Sequence, residues 1–238
     1  MKDTIFGPCG ARIGSDLRVD TLERMVPPAK PPKGDSPSPD RHPSSPTGPT
    51  RPTGPPKWKA LRRELLQDCS VFTVSREHSE SPRTGEVHEF HRIDSADWVN
   101  IVAVTPGDEL VMVTQYRHGS QEIELEIPGG LIDPGESPAA AAARELLEET
   151  GYRAASVEPI GTVNPNPALF GNRVHSFVAW DVRSVADVQN TPAEETVVQL
   201  VSRASLRERL LAGEIRHALV VAALYWFELR HPRAGASQ

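Results

Sequence analysis

The stretch Gly130–Tyr152, "GLIDPGESPAAAAARELLEETGY", is the most clearly punctuated part of this 238-residue chain. Ser137 can cap a helix, Pro138 suits its first position, and Gly151 supplies the left-handed residue that ends it. The intervening "AAAAARELLEET" has high helix propensity throughout. On such a helix Glu145, Glu148 and Glu149 stand at i, i+3 and i+4, so three carboxylates project from one face with Cβ atoms roughly 5–6 Å apart. Like charges at that spacing weaken a helix and raise carboxylate pKa values, so the pattern has no structural benefit. It does suit hard divalent cations, Mg²⁺ or Mn²⁺, because the donors are all oxygen and the helix has no His or Cys to favour zinc. The opposite face, Ala139, Ala142, Ala143 and Leu146, is small enough to pack closely on a sheet. Arg144 is placed to pair with or orient the carboxylates. Before the helix, "PGGLIDPGE" predicts a loop that folds back, bringing Glu136 near the helix and exposing backbone carbonyls such as that of Gly129.

Outward from the helix, strand patterns dominate. Upstream they lie at Ser70–Ser75, Val87–Ile93 and Trp98–Thr105. The turn at Pro106–Asp108 leads into Leu110–Tyr116 as a hairpin. Ile123–Ile127 alternates Ile123, Leu125 and Ile127 with Glu122, Glu124 and Glu126. Downstream, strands are expected at Val157–Val163, Arg173–Val182 and Thr196–Val201, and helices at Leu206–Ala212 and Ile215–Leu229. Strands interleaved with a few helices predict a mixed-sheet α/β (α+β) sandwich.

Composition divides the chain. Thirteen of its 23 prolines precede Trp58, and residues 27–56 hold nothing more apolar than alanine, so residues 1–57 are expected to be a disordered Pro-rich tail. That tail has nine Lys/Arg against six Asp/Glu, leaving 17 against 26, a net charge of −9, from Trp58 onward. A folded part so acidic is a poor nucleic-acid binder, since phosphate affinity comes from Lys and Arg. No apolar run approaches the 18 or so residues of a membrane span, and no secretory signal is visible. Two cysteines give no disulfide framework, which makes a reducing cytoplasm the expected compartment.

Gly130, Glu136, Arg144, Glu145, Leu146, Glu148, Glu149, Gly151 and Tyr152 together resemble the signature of the Nudix hydrolases. Only Tyr152 departs, an aromatic at a packing position where an aliphatic is usual. Seven fixed positions would coincide by chance in a chain of this length less than about once in a million. The resemblance implies a Nudix-type α/β/α sandwich over residues 99–230, with a flexible end at 231–238. It implies Glu145 and Glu149 as principal metal ligands, Glu148 as a further ligand or water orienter, and the Gly129 carbonyl as another ligand. It also implies attack of water on a pyrophosphate bond, with metals neutralising an acidic site that would otherwise repel its anionic substrate.

"VTQYRHG" at Val113–Gly119, followed by "ELEIPGGLIDPGE", resembles the branch that cleaves ADP-ribose and nucleoside diphosphate sugars. That likeness implies Arg117, Glu126 and Pro167, sixteen residues past Gly151, as substrate-binding positions, although the loop "NPNPALFGNRVHSF" departs from the form common in the branch. It implies a catalytic Glu in "TPAEETVVQLVS", with Glu194 preferred over Glu195, and with Arg144 and Glu148 supporting the chemistry. Residues 58–98 become candidates for strands exchanged between the subunits of a homodimer, and Trp98 for core packing or base stacking. Two rivals stand beside this reading. One is a pyrophosphohydrolase of nucleoside triphosphates or dinucleoside polyphosphates; the other is a non-catalytic Nudix-fold sensor of nucleotide sugars.

Overall fold

The computed structural model describes residues 54–233. The expected disordered tail therefore falls almost wholly outside the described residues, as do the last five residues of the expected flexible end.

Three antiparallel strands, β1 (Lys59–Asp68), β2 (Phe72–Glu80) and β3 (Val87–Ser95), form a small sheet in the order β1-β2-β3. Within 58–98 the sequence pointed first to Ser70–Ser75, but the strand there runs Phe72–Glu80 and is preceded by β1, whose "KALRRELLQD" favours helix by composition. Pairing overrides that preference: from Lys59↔Glu80 to Asp68↔Thr73, β2 offers β1 a nearly full ladder. The outer strand is exposed along its whole length, so its conformation rests on backbone hydrogen bonds rather than burial.

The main sheet is built on β4 (Trp98–Val104) and β5 (Glu109–Arg117). These touch only at Ala103↔Val111 and Val104↔Leu110, then diverge. The opening is filled by β6 (Glu122–Glu126), which pairs with β5, and β7 (Gly129–Leu131), which pairs with β4. Helix α1 (Pro138–Thr150) follows, then the short β8 (Tyr152–Arg153). Next come β9 (Glu158–Val163), β10 (Val174–Ala179), β11 (Arg183–Ser184) and β12 (Thr196–Ser202). The path across the sheet is β12-β5-β4-β10-β9, with β10 parallel to β4 and the other neighbours antiparallel. Helices α2 (Leu206–Leu211) and α3 (Ala218–Arg230) close the chain.

Alternation along β4 explains the layering. Val99, Ile101 and Ala103 join Ala141, Ala142 and Leu146 of α1 in one core, while Val102 and Val104 join Leu224 and Phe227 of α3 in the other. Both faces of the sheet are covered, which is why β4 reads as a continuous apolar run. The architecture is the α/β/α sandwich with a mixed sheet that the sequence predicted.

Two details depart from the sequence reading. In β6 the glutamates at 124 and 126 are buried, Glu126 against Arg117 and Glu124 against Arg216, while Ile123 is 69% exposed. The packed face of α1 is centred on Ala141, Ala142 and Leu146, with Ala143 only half-buried.

The punctuation of α1 is as expected. Ser137 Oγ accepts the Ala140 N–H at 3.2 Å, and Gly151 has φ 71° and donates to the Leu147 carbonyl at 2.8 Å. A Cβ on residue 151 would run into the Ala186 carbonyl, so strain and collision add there. Gly151→Ala is expected to cost about 3 kcal/mol and lower Tm by about 6–12 °C in thermal unfolding. An unchanged Tm would mean that the 185–187 segment yields without cost.

Candidate active site

The divergence of β4 and β5 lets α1 reach the sheet with its acidic residues. Loop and helix meet closely: the Glu145 carboxylate occupies the space that a Cβ on residue 130 would need, so a side chain there would displace that carboxylate.

Arg144 organises the cluster. Its Nη2 donates to Glu136 Oε2 and the Leu131 carbonyl, both at 3.0 Å, and its Nη1 donates to Glu145 Oε1 at 2.8 Å and Glu148 Oε2 at 3.1 Å. Those contacts hold the guanidinium pKa far above its usual value, the bond to Glu136 contributing most. In return, Arg144 keeps the Glu136 carboxyl below the usual range. The loop ahead of the helix is thus tied to the helix by ion pairs.

The three helix carboxylates occupy different surroundings. Glu148 is the most open, with its side chain 45% exposed, and Glu145 is only 14% exposed. Glu149 is buried and accepts the Gly129 N–H on Oε2 at 3.0 Å. Burial raises the Glu145 pKa despite Arg144. It pushes Glu149 further, up to about 8, with the charges of Glu145 and Glu194 adding to the effect. Arg117 opposes the rise in Glu149 but is itself committed elsewhere, donating from Nε and Nη2 to the two oxygens of buried Glu126 at 2.7 and 2.8 Å. Glu126 is the main cause of the raised Arg117 pKa.

A divalent cation suits this donor set, which is all oxygen and is short of positive charge at Glu149. Among the described residues, no group of three His, Cys, Asp or Glu side chains is gathered to hold a metal as the side chains stand. Arg144 draws Glu145 and Glu148 to itself, and Gly129 meets Glu149 through its N–H.

Glu194 joins the cluster from a distant part of the chain, within electrostatic reach of Glu145 and Glu149. It sits on the turn before β12, where Thr191 and Glu194 exchange backbone hydrogen bonds at 3.0 and 3.2 Å. Gln115 Nε2 of β5 donates to Glu194 Oε1 at 2.7 Å, so Glu194 is the member of the Glu194/Glu195 pair that is held. Below the turn, Thr196 Oγ1 donates to the Glu149 carbonyl at 2.9 Å, linking β12 to the end of α1. The structure therefore brings Glu145, Glu148, Glu149, Arg144, Gly129 and Glu194 together, with Arg117 and Glu126 beside them.

Pro167 belongs to another feature. It lines a cleft of about 330 Å³ with Glu77, Phe90, Arg92 and Phe170. The Phe170 loop is pinned to the end of β3 by Ile93 N–H to Leu169 O and Gly171 N–H to Ile93 O, both 2.9 Å. Trp98 packs edge-on to Phe170, ring centroids 5.8 Å apart. Sequence reasoning passed over Gln115, Asn190 and Thr196. The available signal was Gln115 itself, a polar residue following Val111 and Val113 on the buried face of a strand.

The Nudix domain pattern matches residues 94–224, more than half of the chain. The chain belongs to the Nudix family. This Nudix pyrophosphohydrolase is 27% identical over 173 residues to the ADP-ribose pyrophosphatase of Bacillus subtilis, covering 72% of this chain and 93% of that one. It is 39% identical over 145 residues to the ADP-sugar pyrophosphatase of Mus musculus, covering 57% and 66%. With the CMP-5'-(N-acetyl-N-hydroxy-3-aminopropyl)phosphonate hydrolase of Streptomyces rubellomurinus it shares 32% identity over 143 residues, covering 60% and 67%. Among solved structures, an ADP compounds hydrolase superposes with a TM-score of 0.66 at 26% identity, covering 76% of this chain and all of that one. Among the described residues, no helix of this Nudix enzyme is long and apolar enough to cross a membrane.

Proposed function

We propose that this Nudix enzyme hydrolyses the pyrophosphate bond of ADP-ribose or a similar nucleoside diphosphate sugar, using Mg²⁺ or Mn²⁺, to a nucleoside monophosphate and a sugar phosphate. The observation that carries the reading is the convergence of α1 carboxylates with Glu194 beside the Arg117–Glu126 pair. The ADP-ribose pyrophosphatase and ADP-sugar pyrophosphatase relatives supply the substrate class.

Glu145, Glu149 and Glu148, with the Gly129 carbonyl, would hold the cation. Bound there, it supplies charge neutralisation, polarisation of phosphoryl oxygens and a lower pKa for water. Glu194 is the general base that takes the proton from the attacking water, its carboxylate within electrostatic reach of Glu145 and Glu149. Arg144 orients Glu145 and Glu148 and ties the loop at Glu136. Arg117, with its charge shared with Glu126, faces the phosphates, and Pro167 shapes the loop beside the nucleotide. Action as a homodimer in the cytoplasm belongs to the same proposal.

The test is to incubate the full chain and Mg²⁺ with ADP-ribose, ADP-glucose, GDP-mannose, NADH, diadenosine polyphosphates and nucleoside triphosphates, and to identify the products. AMP and ribose 5-phosphate from ADP-ribose, or the matching pair from another diphosphate sugar, are expected. Preferential turnover of triphosphates or dinucleoside polyphosphates would overturn the substrate assignment. Binding without turnover of any member would favour a sensor.

A further inference from the structure

Glu194 depends on very little for its position. Its residue is exposed, at the tip of a short turn. The neck of that turn is pinched by one side chain: Asn190 Oδ1 accepts the Thr196 N–H at 2.9 Å, and Asn190 Nδ2 donates to the Thr196 carbonyl at 3.2 Å. This staple fixes the backbone where β12 begins, two residues past Glu194, but does not hold the carboxylate. The carboxylate is held by Gln115 Nε2.

Gln115 is anchored from both sides. In the middle of the sheet it stands opposite Thr196 of β12 and Glu124 of β6. It is only 7% exposed, and its Oε1 is buried without a hydrogen-bond partner. An ionised carboxylate can only accept, so the amide must turn Nε2 toward Glu194 and leave Oε1 unsatisfied. A buried acceptor with no donor is a cost that an apolar side chain would remove, as Val111 and Val113 do on the same face of β5. The gain set against that cost is a fixed Glu194.

We propose that Gln115 is a positioning residue that holds the Glu194 carboxylate over the α1 cluster, so that the general base is in place before substrate arrives. This deepens the proposed function and rests on Glu194 being the base. A base held in one geometry avoids the entropic cost of ordering a mobile loop in each turnover.

The experiment uses the full-length protein, the near-isosteric Gln115→Met, and the fastest substrate of the panel. Gln115→Met is expected to lower kcat by about 10- to 100-fold with KM within about threefold, because the base is misplaced and substrate binding is not. Gln115→Glu keeps volume and polarity but presents an acceptor to Glu194; it serves as the second variant, with the same expected loss. Glu194→Gln is expected to lose about 10²- to 10⁴-fold, and Gln115→Met/Glu194→Gln to be no slower than Glu194→Gln alone. A purely structural role for Gln115 would make the two losses multiply, which would overturn the proposal. So would an unchanged kcat in Gln115→Met. Crystal structures of wild type and Gln115→Met test the first link without any substrate: the Glu194 carboxylate should lose its single position, and an unmoved Glu194 would also overturn the proposal. Failure of the whole panel would sink the substrate assignment and leave that crystallographic result readable.

Discussion

Glu149→Gln is expected to reduce kcat by about 10³-fold or more while leaving the fold intact. The carboxylate is buried, accepts the Gly129 N–H at 3.0 Å, and lies within electrostatic reach of both Glu145 and Glu194. A glutamine retains the volume and a carbonyl oxygen able to accept from Gly129, but it removes the charge that a divalent cation needs at this place. Stabilisation of phosphoryl charge by such a cation is worth several kcal/mol, and about 1.4 kcal/mol is a factor of ten in rate. Steady-state kinetics with Mg²⁺, alongside circular dichroism and Tm, checks both halves of the expectation. Full activity in the variant would sink the metal-ligand assignment.

The second large effect concerns stability in the absence of metal. Burial and like charge push Glu149 up to about 8 in the folded chain, against an ordinary value of 4.5. The folded state therefore holds a proton on Glu149 that the unfolded state has released, across roughly the interval from 4.5 to 8. The stability this contributes is fully present below pH 4.5 and is lost as pH rises through about 8. Each pKa unit corresponds to about 1.4 kcal/mol, so Tm in EDTA is expected to fall by about 8–16 °C between pH 5 and pH 8.5. Glu149→Gln should flatten that dependence, because its amide does not titrate. Millimolar Mg²⁺ should return most of the lost Tm in wild type at pH 8.5 and little in the variant, since a ligand that binds only the folded state stabilises it. Scanning calorimetry of both proteins across pH, with and without Mg²⁺, is the check. Parallel pH profiles for the two would contradict the burial of an isolated charge at Glu149.

Legibility differed between parts of the molecule. The bounds of α1 could be read because each signal is local: Ser137, Pro138 and Gly151 act on backbone within a turn of themselves. Its acidic face was legible as chemistry because three like charges have no structural reason to be neighbours. Strand β1 was not legible, since "KALRRELLQD" becomes a strand only through a ladder with β2, and that pairing is a property of two segments. The buried glutamates of β6 were obscured for a similar reason. Alternation says that two sets of residues face opposite ways, but from Glu124 onward both are covered, Leu125 in the core with α3 and the glutamates beside Arg117 and Arg216.

The sequence carried the family, the layered fold and the oxygen-rich helix, because these rest on spacing along one stretch of chain and on propensities that act locally. It could not say that Glu145, Glu148 and Glu149 have unequal burial, that Arg117 is locked on Glu126, or that Gln115 picks out Glu194 across 79 positions of chain. Those facts arise where β4 and β5 part and let α1, β6 and the turn before β12 into one space. Burial and hydrogen-bond geometry set how charged each carboxylate is, and they exist only once separate segments have been folded against each other.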